Sequence, residues 1–387
     1  MNIVFNTIFI PCSWINSKLI VIFKKGCRKI CGNYRGISIN DTIYRIFDKI
    51  LYNRLTLWYK PSVEQAGCQE KRGCVEQILT IRLLCDYAKK KRVKLFLLYI
   101  DFEKAYDKVP RKTLLDILKS LGCGGRFLSV LAKIYTDEKL VFKVAVIQTA
   151  IGVRQGAASS CLLFIIFLDV MVKMINRSEN DGFLESYHSL LLMDDTVLLA
   201  TSREKLITKF QIVQHFCKEY GMSINVSKTK FMVINGVSYE RSPIISNGIN
   251  VKYCPYYLYL GAYLTDDGNY KTSIDLHVTD KKKHFLKYIS FLEKNCDFPF
   301  TIKGRVADAC LFSTILYSCE TWCCSSFGKL ETIYMGIIKT LLAVRQTTCN
   351  DLCLVEGGMP SIKALIRKRQ HKFFTEKLNN LQNDIHL

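Results

Sequence analysis

Three aspartates lie at positions in this 387-residue sequence where carboxylates could do chemistry. Asp101 ends a strongly apolar run, and Asp194 and Asp195 lie between two apolar arms. A carboxylate beside buried apolar strands is unfavourable unless a cation balances its charge. Mg²⁺ binds carboxylate oxygens together with substrate phosphates, and a pair of such ions can hold the attacking and leaving oxygens of a phosphoryl transfer. The three residues are therefore candidate ligands for divalent cations.

A hairpin turn is the alternative interpretation of Asp194 and Asp195, because aspartate is common in turns. The chain offers its own comparison in Asp266 and Asp267, which lie in a polar Thr-Asp-Asp-Gly-Asn segment without apolar arms on both sides. That second pair is typical of a structural turn. Taken alone, the first pair leaves both interpretations open.

The composition limits the class of protein. The formal net charge is +21, 49% of the residues are hydrophobic, and 22 are Phe. The apolar content excludes a disordered polyelectrolyte, while the charge favours an anionic partner, nucleic acid first and an acidic membrane surface second. The 17 cysteines are scattered through apolar runs, as at Cys85, Cys161 and Cys310, which predicts small core residues rather than disulfides or a zinc site. We expect an intracellular protein of the nucleus or cytoplasm, not a secreted one.

The first 17 residues carry no charge, which raises the question of a signal peptide. No basic region precedes the apolar run, and polar residues and Pro11 interrupt it. The run is also too short and too polar for a membrane span. We therefore expect a soluble protein with a clipped or irregular start and no membrane partner.

Hydrophobic periodicity predicts the elements that position these aspartates. A buried strand over residues 94–100 leads into Asp101, and a strand-rich stretch over residues 190–200 contains the Asp-Asp pair. Further helices are predicted over residues 41–57, 75–90, 113–121 and 202–220, and further strands over 17–23, 140–147 and 229–234. Beyond residue 268 the pattern changes to basic helices, predicted over 270–293, 302–319 and from about 361. This order predicts an α+β fold with a palm-like sheet backed by helices.

Seven segments, in order, resemble the motifs of reverse transcriptases from non-LTR (LINE-type) retrotransposons. The segments are residues 33–38 and 65–73 (fingers motifs), 99–107 (motif A, Tyr-Ile-Asp-Phe-Glu-Lys-Ala-Tyr-Asp), 152–160 (motif B), 192–195 (motif C, Leu-Met-Asp-Asp), 221–230 (motif D) and 259–261 (motif E). The resemblance covers about residues 11–330, most of the chain. Any one motif could be a chance match, but seven in order point to one family.

The resemblance implies a right-hand polymerase architecture, with fingers and palm (an antiparallel sheet backed by helices) and a helical thumb. The implied domains are residues 1–92 (part of the fingers), 93–268 (palm with inserted fingers elements), 269–340 (helical thumb) and 341–387 (basic helical C-terminal extension).

The implied activity is that of an RNA-directed DNA polymerase, which uses two Mg²⁺ ions, with Mn²⁺ as the alternative metal. It would join dNTPs to the 3′-hydroxyl of a DNA primer on an RNA template. Asp101, Asp194 and Asp195 would hold the ions, and the Phe102 carbonyl would add an oxygen ligand. Lys228, with Lys230 as the alternative, would assist the leaving pyrophosphate.

Further residues would contact the nucleotide. Tyr106 resembles the aromatic gate that leaves no room for a ribose 2′-hydroxyl, and the alternative is an ordinary core aromatic. Gln155 and Gly156 would approach the incoming nucleotide and template, the glycine because backbone must come close. Arg35 and Arg72 are either phosphate-binding residues or solvated surface charges.

Two other groups need separate interpretations. Lys281, Lys282 and Lys283 would follow a nucleic-acid backbone, or else form a solvated helix face. Asp107 lies six residues past Asp101 and is expected to cap a helix outside the metal site.

The sequence departs from the family pattern in three places. Leu192 and Met193 precede the Asp-Asp pair where an aromatic residue and Ala are usual, and residues 157–161 lack the prolines that often follow Gln-Gly in motif B. No endonuclease region precedes the fingers motifs and no Cys/His knuckle follows the thumb region, which suggests a truncated copy. The alternative function is therefore a catalytically inactive remnant that only binds RNA or DNA. The oligomeric state stays open.

Overall fold

The computed structural model describes residues 2–178, 181–185 and 187–378. The rest of the predicted C-terminal extension, residues 379–387, lies outside the described residues. The chain forms two compact units. The first comprises Met1–Arg72, Phe96–Phe231 and Ser242–Lys252, and the second comprises Gly73–Leu95, Met232–Arg241 and Tyr253–Leu387. The borders of these units do not coincide with the four predicted domains, whose assignment stays a prediction.

Helices make up more of the described chain than strands. The α-helices are α1 (Asn2–Thr7), α2 (Cys12–Ile15), α3 (Thr42–Trp58), α4 (Cys74–Lys91), α5 (Ala105–Lys108), α6 (Arg111–Ser120), α7 (Gly125–Thr136), α8 (Ala158–Asn176), α9 (Arg203–Tyr220), α10 (Tyr270–Lys294), α11 (Phe300–Val306), α12 (Ser313–Ile315), α13 (Lys329–Leu341), α14 (Asn350–Glu356) and α15 (Ile362–Phe373).

The strands form three sheets. They are β1 (Asn16–Phe23), β2 (Tyr34–Ile39), β3 (Leu95–Ile100), β4 (Lys139–Phe142), β5 (Ala145–Gln148), β6 (Ser189–Leu192), β7 (Asp195–Ala200), β8 (Lys230–Ile234), β9 (Ile244–Ser246), β10 (Ile249–Tyr253), β11 (Tyr256–Tyr259) and β12 (Ala262–Thr265). The sheet orders are β2-β1-β4-β5, β6-β7-β3-β8-β10-β9 and β11-β12. The α+β fold class is confirmed.

The elements around the aspartates follow the sequence pattern closely. All six residues of β3 are buried, as a continuous apolar run predicts for a central strand. Helix α3 begins after Asp41, whose carboxylate accepts a hydrogen bond from the Ile43 amide at 2.8 Å. Helix α9 begins after Ser202 and ends at Gly221, which has a positive φ of 70°. These caps set helix bounds within a residue of the prediction, because capping chemistry is local.

The structure adds a helix that the sequence analysis did not predict and corrects another. The added helix, α8, shows no amphipathic periodicity because it is buried on nearly all sides. Among the described helices it is the one long and apolar enough to cross a membrane, and 72% of its apolar window is buried inside the protein, as in the core helix of a globular unit. The helix predicted over residues 302–319 is interrupted: α11 runs into a π-helical stretch, Ala307–Phe312, before the short α12.

The cysteines also differ from the prediction. None of the 17 forms a disulfide. Cys85 is a buried core residue as expected, but Cys310 is exposed and Cys161 is only partly buried. Apolar neighbours in sequence therefore do not place these last two thiols in the core, because a helix presents successive residues to different sides.

The sequence analysis expected an irregular start, but residues 2–15 contain the two helices α1 and α2. Helices α1 and α2 contribute Val4 and Trp14 to a buried cluster with Phe47 of α3. The rings of Trp14 and Phe47 lie 5.0 Å apart between centroids. Polar residues interrupt the apolar run because the two helices expose one side each, so this segment belongs to the core of the first unit.

Replacing Trp14 by Ala should therefore destabilise the protein. Removing a buried aromatic side chain leaves a cavity and lowers the free energy of unfolding by about 3 kcal/mol. Urea denaturation measures this loss. Phe9 is the matched control: it lies in the same segment but is 63% exposed, so Phe9→Ala should change the free energy by less than about 0.5 kcal/mol. Equal effects of both substitutions would contradict the packing of this segment.

Candidate nucleotidyl-transfer site

Strand pairing brings the three aspartates to one end of a sheet. Strands β6 and β7 are antiparallel and close with the pair Leu192 and Asp195, which leaves Met193 and Asp194 as a two-residue turn. Strand β3 pairs antiparallel with β7, and Ile100 lies opposite Thr196. One position further along, Asp101 faces Asp195 across the two strands. Asp194 thus lies in the hairpin turn, Asp195 directly follows it as the first residue of β7, and both are close to Asp101, so the two interpretations of the pair do not exclude each other.

Two residues of the motif D segment hold the Asp101 carboxylate. The Lys228 ammonium lies 3.0 and 3.1 Å from its two oxygens, and the Asn225 side-chain amide donates to one of them at 2.9 Å. The Asn225 backbone amide also donates to the Asp101 carbonyl at 2.7 Å. Sequence reasoning singled out Lys228 but gave no role to Asn225, although the Asn-x-x-Lys spacing places both on one turn.

The carboxylates at the hairpin are crowded. Burial raises the pKa of Asp195 to about 6, and the negative charges of Asp194 and then Asp101 add to the effect. Burial and the Asp101 charge likewise raise the pKa of Asp194, while Arg35 and Lys228 oppose that increase. Raised carboxyl pKa values mean that ionising the group is unfavourable here without a further cation. A divalent ion would supply that charge.

The donor set fits a hard divalent cation, although no cage is preformed. Within the described ranges, no three His, Cys, Asp or Glu side chains converge as a metal site. In this structure the Asp101 carboxylate faces Lys228 instead. Mg²⁺ commonly takes only one or two protein carboxylates and completes its shell with water and substrate phosphates. The oxygens of Asp101, Asp194 and Asp195 suit that mode of binding.

The Phe102 carbonyl is oriented toward the hairpin. Phe102 forms an antiparallel bridge with Ile224, in which the flanking groups, the Asp101 carbonyl and the Glu103 amide, bond to residues 223–225. In an extended chain successive carbonyls point to opposite sides, so the Phe102 carbonyl points away from residues 223–225. For β3, which lies between β7 and β8, that direction leads to β7. The carbonyl therefore points to the same side as the Asp195 strand.

Tyr106 lies partly buried beside this site. Its ring stacks on Phe164 of α8, with centroids 4.3 Å apart. Burial raises the pKa of the Tyr106 hydroxyl, and the nearby Cys161 and Asp194 add to this. Hydrogen bonds, first from the Cys68 thiol and then from Tyr106, lower the pKa of Cys161 to about 6 despite burial. Tyr106 thus has one face packed on Phe164 and its hydroxyl near the Cys161 thiol, and sequence reasoning assigned neither residue to this site.

Buried side-chain and backbone contacts hold the motif B loop, residues 152–160. The Arg154 side chain is fully buried, pairs with Glu138 at 3.0 Å and donates to the Trp14 carbonyl at 3.1 Å. The Gln155 carbonyl accepts from the Ser38 amide at 3.0 Å. Gly156 has a φ of 116°, and an added Cβ would lie 2.8 Å from the Ser38 carbonyl. The close approach that requires glycine here is therefore made by the chain's own β2 strand.

Asp107 differs from its predicted role as a helix cap. It lies inside the short α5, and its carboxylate accepts a hydrogen bond from the Gln155 side-chain amide at 2.5 Å. Asp107 therefore orients a predicted nucleotide-binding side chain. The comparison pair Asp266 and Asp267 lies in a turn as expected: the Asp267 carboxylate accepts from the Asn269 amide at 2.8 Å.

The predicted phosphate-binding and nucleic-acid-binding cations lie in different surroundings. Arg35 is on β2 of the first unit, exposed, and close enough to lower the pKa of Asp194. Arg72 is only partly exposed and donates to the Val63 carbonyl, so its guanidinium is engaged within its own segment. On α10 of the second unit, Lys282 and Lys283 are exposed, whereas Lys281 pairs with Asp280 at 2.8 Å.

Comparison with known families bears on this geometry. The family described as reverse transcriptase (RNA-dependent DNA polymerase) matches residues 22–289, more than half of the chain. The chain belongs to the reverse transcriptase family. The match includes every predicted metal ligand of this reverse transcriptase and both predicted arginines. Members of the family generally use divalent metals, which agrees with the donor set at the hairpin.

Retrotransposon proteins are among the relatives of this reverse transcriptase. It is 27% identical over 222 residues to a Pol polyprotein of the type-1 element R2 from Nasonia vitripennis, covering 55% of this chain and 22% of that protein. It is 21% identical over 375 residues to a putative 115 kDa protein of the R1DM element from Drosophila melanogaster, covering 92% and 35%. The resemblance to non-LTR reverse transcriptases is confirmed. The chain spans about a fifth to a third of the length of these relatives.

Solved telomerase structures are also similar to this reverse transcriptase. Apo telomerase from Candida tropicalis has a TM-score of 0.48 at 15% identity, covering 92% of this chain and 68% of that one. Telomerase from Candida albicans in complex with a fragment of telomeric RNA has a TM-score of 0.47 at 15% identity, covering 85% and 62%.

The pKa of Asp195 gives a test of the charge cluster. Carbon-13 NMR of the side-chain carboxyls should show Asp195 titrating near pH 6. Asp194→Asn should lower this pKa more than Asp101→Asn, because Asp194 contributes the larger repulsion. Since the folded pKa exceeds that of an unfolded carboxyl, Asp195 takes up a proton on folding between about pH 4 and 6. The associated stabilisation is complete below that range and is lost as pH rises through 6. A pKa unmoved by both substitutions would contradict the arrangement.

Proposed function

We propose that the chain is an RNA-directed DNA polymerase that joins a dNTP to the 3′-hydroxyl of a DNA primer on an RNA template. The supporting observation is the convergence of Asp101, Asp194 and Asp195 at one sheet end, in a chain of the reverse transcriptase family. The bond formed joins the primer oxygen to the α-phosphorus, and pyrophosphate leaves. The host cell compartment that suits this reaction is the nucleus or cytoplasm.

The metal we propose is Mg²⁺, with Mn²⁺ as the alternative. Asp101, Asp194, Asp195 and the Phe102 carbonyl would hold such ions, which would lower the pKa of the primer hydroxyl and offset the charge of the triphosphate. The aspartates would act as ionised oxygen donors, and a bound cation would offset the burial and the neighbouring charges that raise the pKa of Asp195.

Lys228 has two successive partners in this proposal. Its side chain is 61% exposed while it pairs with Asp101, and an exposed pair of this kind is weak. The ammonium could therefore move from Asp101 to the triphosphate in a site where Asp101 held a cation. There it can donate a proton or hydrogen bond to the leaving pyrophosphate. Asn225, which has no charge to exchange, keeps the Asp101 carboxylate oriented.

The remaining contacts to substrate are proposals of the same kind. Tyr106, fixed on Phe164, offers a rigid face against the sugar. Gln155, held by Asp107, faces the nucleotide, and Arg35 lies near the Asp194 charge where a triphosphate would arrive. Lys282 and Lys283 are exposed on α10 and would contact the backbone of the template and primer.

Primer extension on an RNA template with Mg²⁺ or Mn²⁺ tests the activity. Asp194→Asn should reduce the rate by at least about 100-fold, because it removes a charge needed by the metals and the transition state. Asp267→Asn is the matched control, since this aspartate is in a turn and bonds only its own segment. Template binding should survive both changes. A parent protein that binds template but never extends a primer would support the inactive remnant instead.

Sugar selection tests the role of Tyr106. Tyr106→Val should raise the use of ribonucleotides relative to deoxyribonucleotides by about 10-fold or more, because a clash with the 2′-hydroxyl is removed. Tyr106→Phe keeps the ring and its stacking on Phe164, so selection should persist. Competition between the two nucleotide types in single-turnover extension gives the ratio. Unchanged selection in Tyr106→Val would show that the residue is a core aromatic only.

A further inference from the structure

The turn that carries Asp194 has an unfavourable backbone conformation. Met193, its first residue, has a φ of 60°, in the left-handed region. A two-residue hairpin turn in which the first residue has a positive φ and the second does not usually has glycine first, because a side chain there is strained. Strained positions persist only where the surroundings hold them. Something other than Met193 must therefore define this turn.

Gln65 supplies that restraint. Its side-chain oxygen accepts a hydrogen bond from the Met193 amide at 2.9 Å, and its side-chain NH₂ donates to the Met193 carbonyl at 3.1 Å. The Met193 carbonyl belongs to the peptide that joins Met193 to Asp194. Fixing both backbone groups of Met193 fixes that peptide plane, and with it the direction in which the Asp194 side chain leaves the turn.

Gln65 is itself rigidly placed. Its side chain is 1% exposed, and its oxygen also accepts from the Gly67 amide at 2.9 Å. The segment around Gln65 runs parallel to β6: the Ala66 amide donates to the Leu191 carbonyl at 2.8 Å, and the Leu191 amide donates to the Glu64 carbonyl at the same distance.

Gly67 closes the arrangement. A Cβ added there would lie 2.4 Å from the Met193 sulfur and 2.9 Å from the Gln65 side-chain oxygen. In the Gln65–Gly67 segment, Gln65 thus contacts the backbone of Met193, and Gly67 lies close against the Met193 side chain. Sequence reasoning placed this segment only among the fingers motifs, since nothing in the pattern showed which strand end it would meet.

We propose that Gln65 is a positioning residue that sets the turn at Met193 and thereby aims Asp194 at the metal. This proposal rests on the proposed polymerase activity for its catalytic consequence, but its structural consequence is separate. A residue that only stabilised the fold would affect unfolding without any special relation to Met193. A residue that defines the turn becomes less necessary when position 193 can adopt the left-handed conformation freely.

The experiment is a mutant cycle between positions 65 and 193. Gln65→Met keeps the length and apolar stem but removes both hydrogen bonds with Met193 and the one from the Gly67 amide. Primer extension with Mn²⁺ should show kcat reduced about 10-fold or more, with the KM for dNTP within about twofold. Adding Met193→Gly to Gln65→Met should raise kcat again, by about 3-fold or more for a 10-fold loss. Glycine adopts the turn without support from Gln65.

Gln214→Met is the matched control. Gln214 is also buried in the first unit and uses its side-chain amide on a backbone carbonyl, that of Ser246 at 2.8 Å. Its replacement should lower stability similarly and leave kcat unchanged. A kcat loss in Gln65→Met that Met193→Gly does not restore, or that Gln214→Met reproduces, would overturn the proposal.

Amide hydrogen exchange separates this proposal from the polymerase activity. In Gln65→Met the Met193 amide loses its acceptor, so its exchange should accelerate about 10-fold or more while the buried amides of β3 stay protected. This readout needs neither metal nor substrate. If the parent protein extends no primer, the polymerase proposal fails but the exchange result still decides the role of Gln65. Unchanged Met193 exchange would overturn it. If Gln65→Met does not fold, Gln65→Asn takes its place in the mutant cycle. This variant adds no charge, but its side chain is one carbon shorter and cannot reach both backbone groups of Met193, and Met193→Gly should again restore the lost rate.

Discussion

The antiparallel pairing of β3 with β7 is the constraint on which the site depends. The apolar β3 is buried along its whole length, and its pairing with β7 runs from Phe96 opposite Ala200 to Ile100 opposite Thr196. A shift of one residue would turn Asp101 to the other face of the sheet. With the register fixed, Asp101 and Asp195 must be neighbours, and their repulsion follows from that placement. The cluster of negative charge that a cation would relieve is thus a consequence of how an apolar strand packs.

The three aspartates at this sheet end differ in how far neighbouring groups offset their negative charge. Asp101 has a cation and an amide on its carboxylate, whereas Asp195 has two carboxylates as its principal charged neighbours. The Lys228 pair is exposed and therefore easily exchanged. The structure accordingly shows the site with its charges partly satisfied by the chain itself, and a metal with its substrate would redistribute them rather than enter an empty cage.

The departures from the family pattern have local physical compensations. Motif B lacks the usual prolines, but the buried Arg154 and its partner Glu138 hold the loop through side-chain contacts. Met193 occupies a turn position that disfavours a side chain, and two hydrogen bonds from Gln65 hold its backbone. In both places rigidity comes from residues distant in sequence rather than from the local backbone.

The sequence by itself determined what depends on local chemistry. The apolar run of β3, the caps of α3 and α9 at Asp41 and Ser202, and the order of the motifs were readable because each depends on neighbours in the chain. The sequence also identified the three aspartates, while leaving open whether Asp194 and Asp195 were only a turn. It did not reveal the buried α8, since a helix surrounded by core has no polar face to give it a period.

Only the tertiary structure decided which distant groups meet. Asn225 on Asp101, Asp107 on Gln155 and Gln65 on Met193 are contacts between residues separated by 48 to 128 positions. No spacing rule connects such residues, because their meeting depends on sheet register and on loops that return to one strand end. The candidate residues of the site were therefore visible in the sequence, whereas the groups that contact them became visible only once the strands were paired.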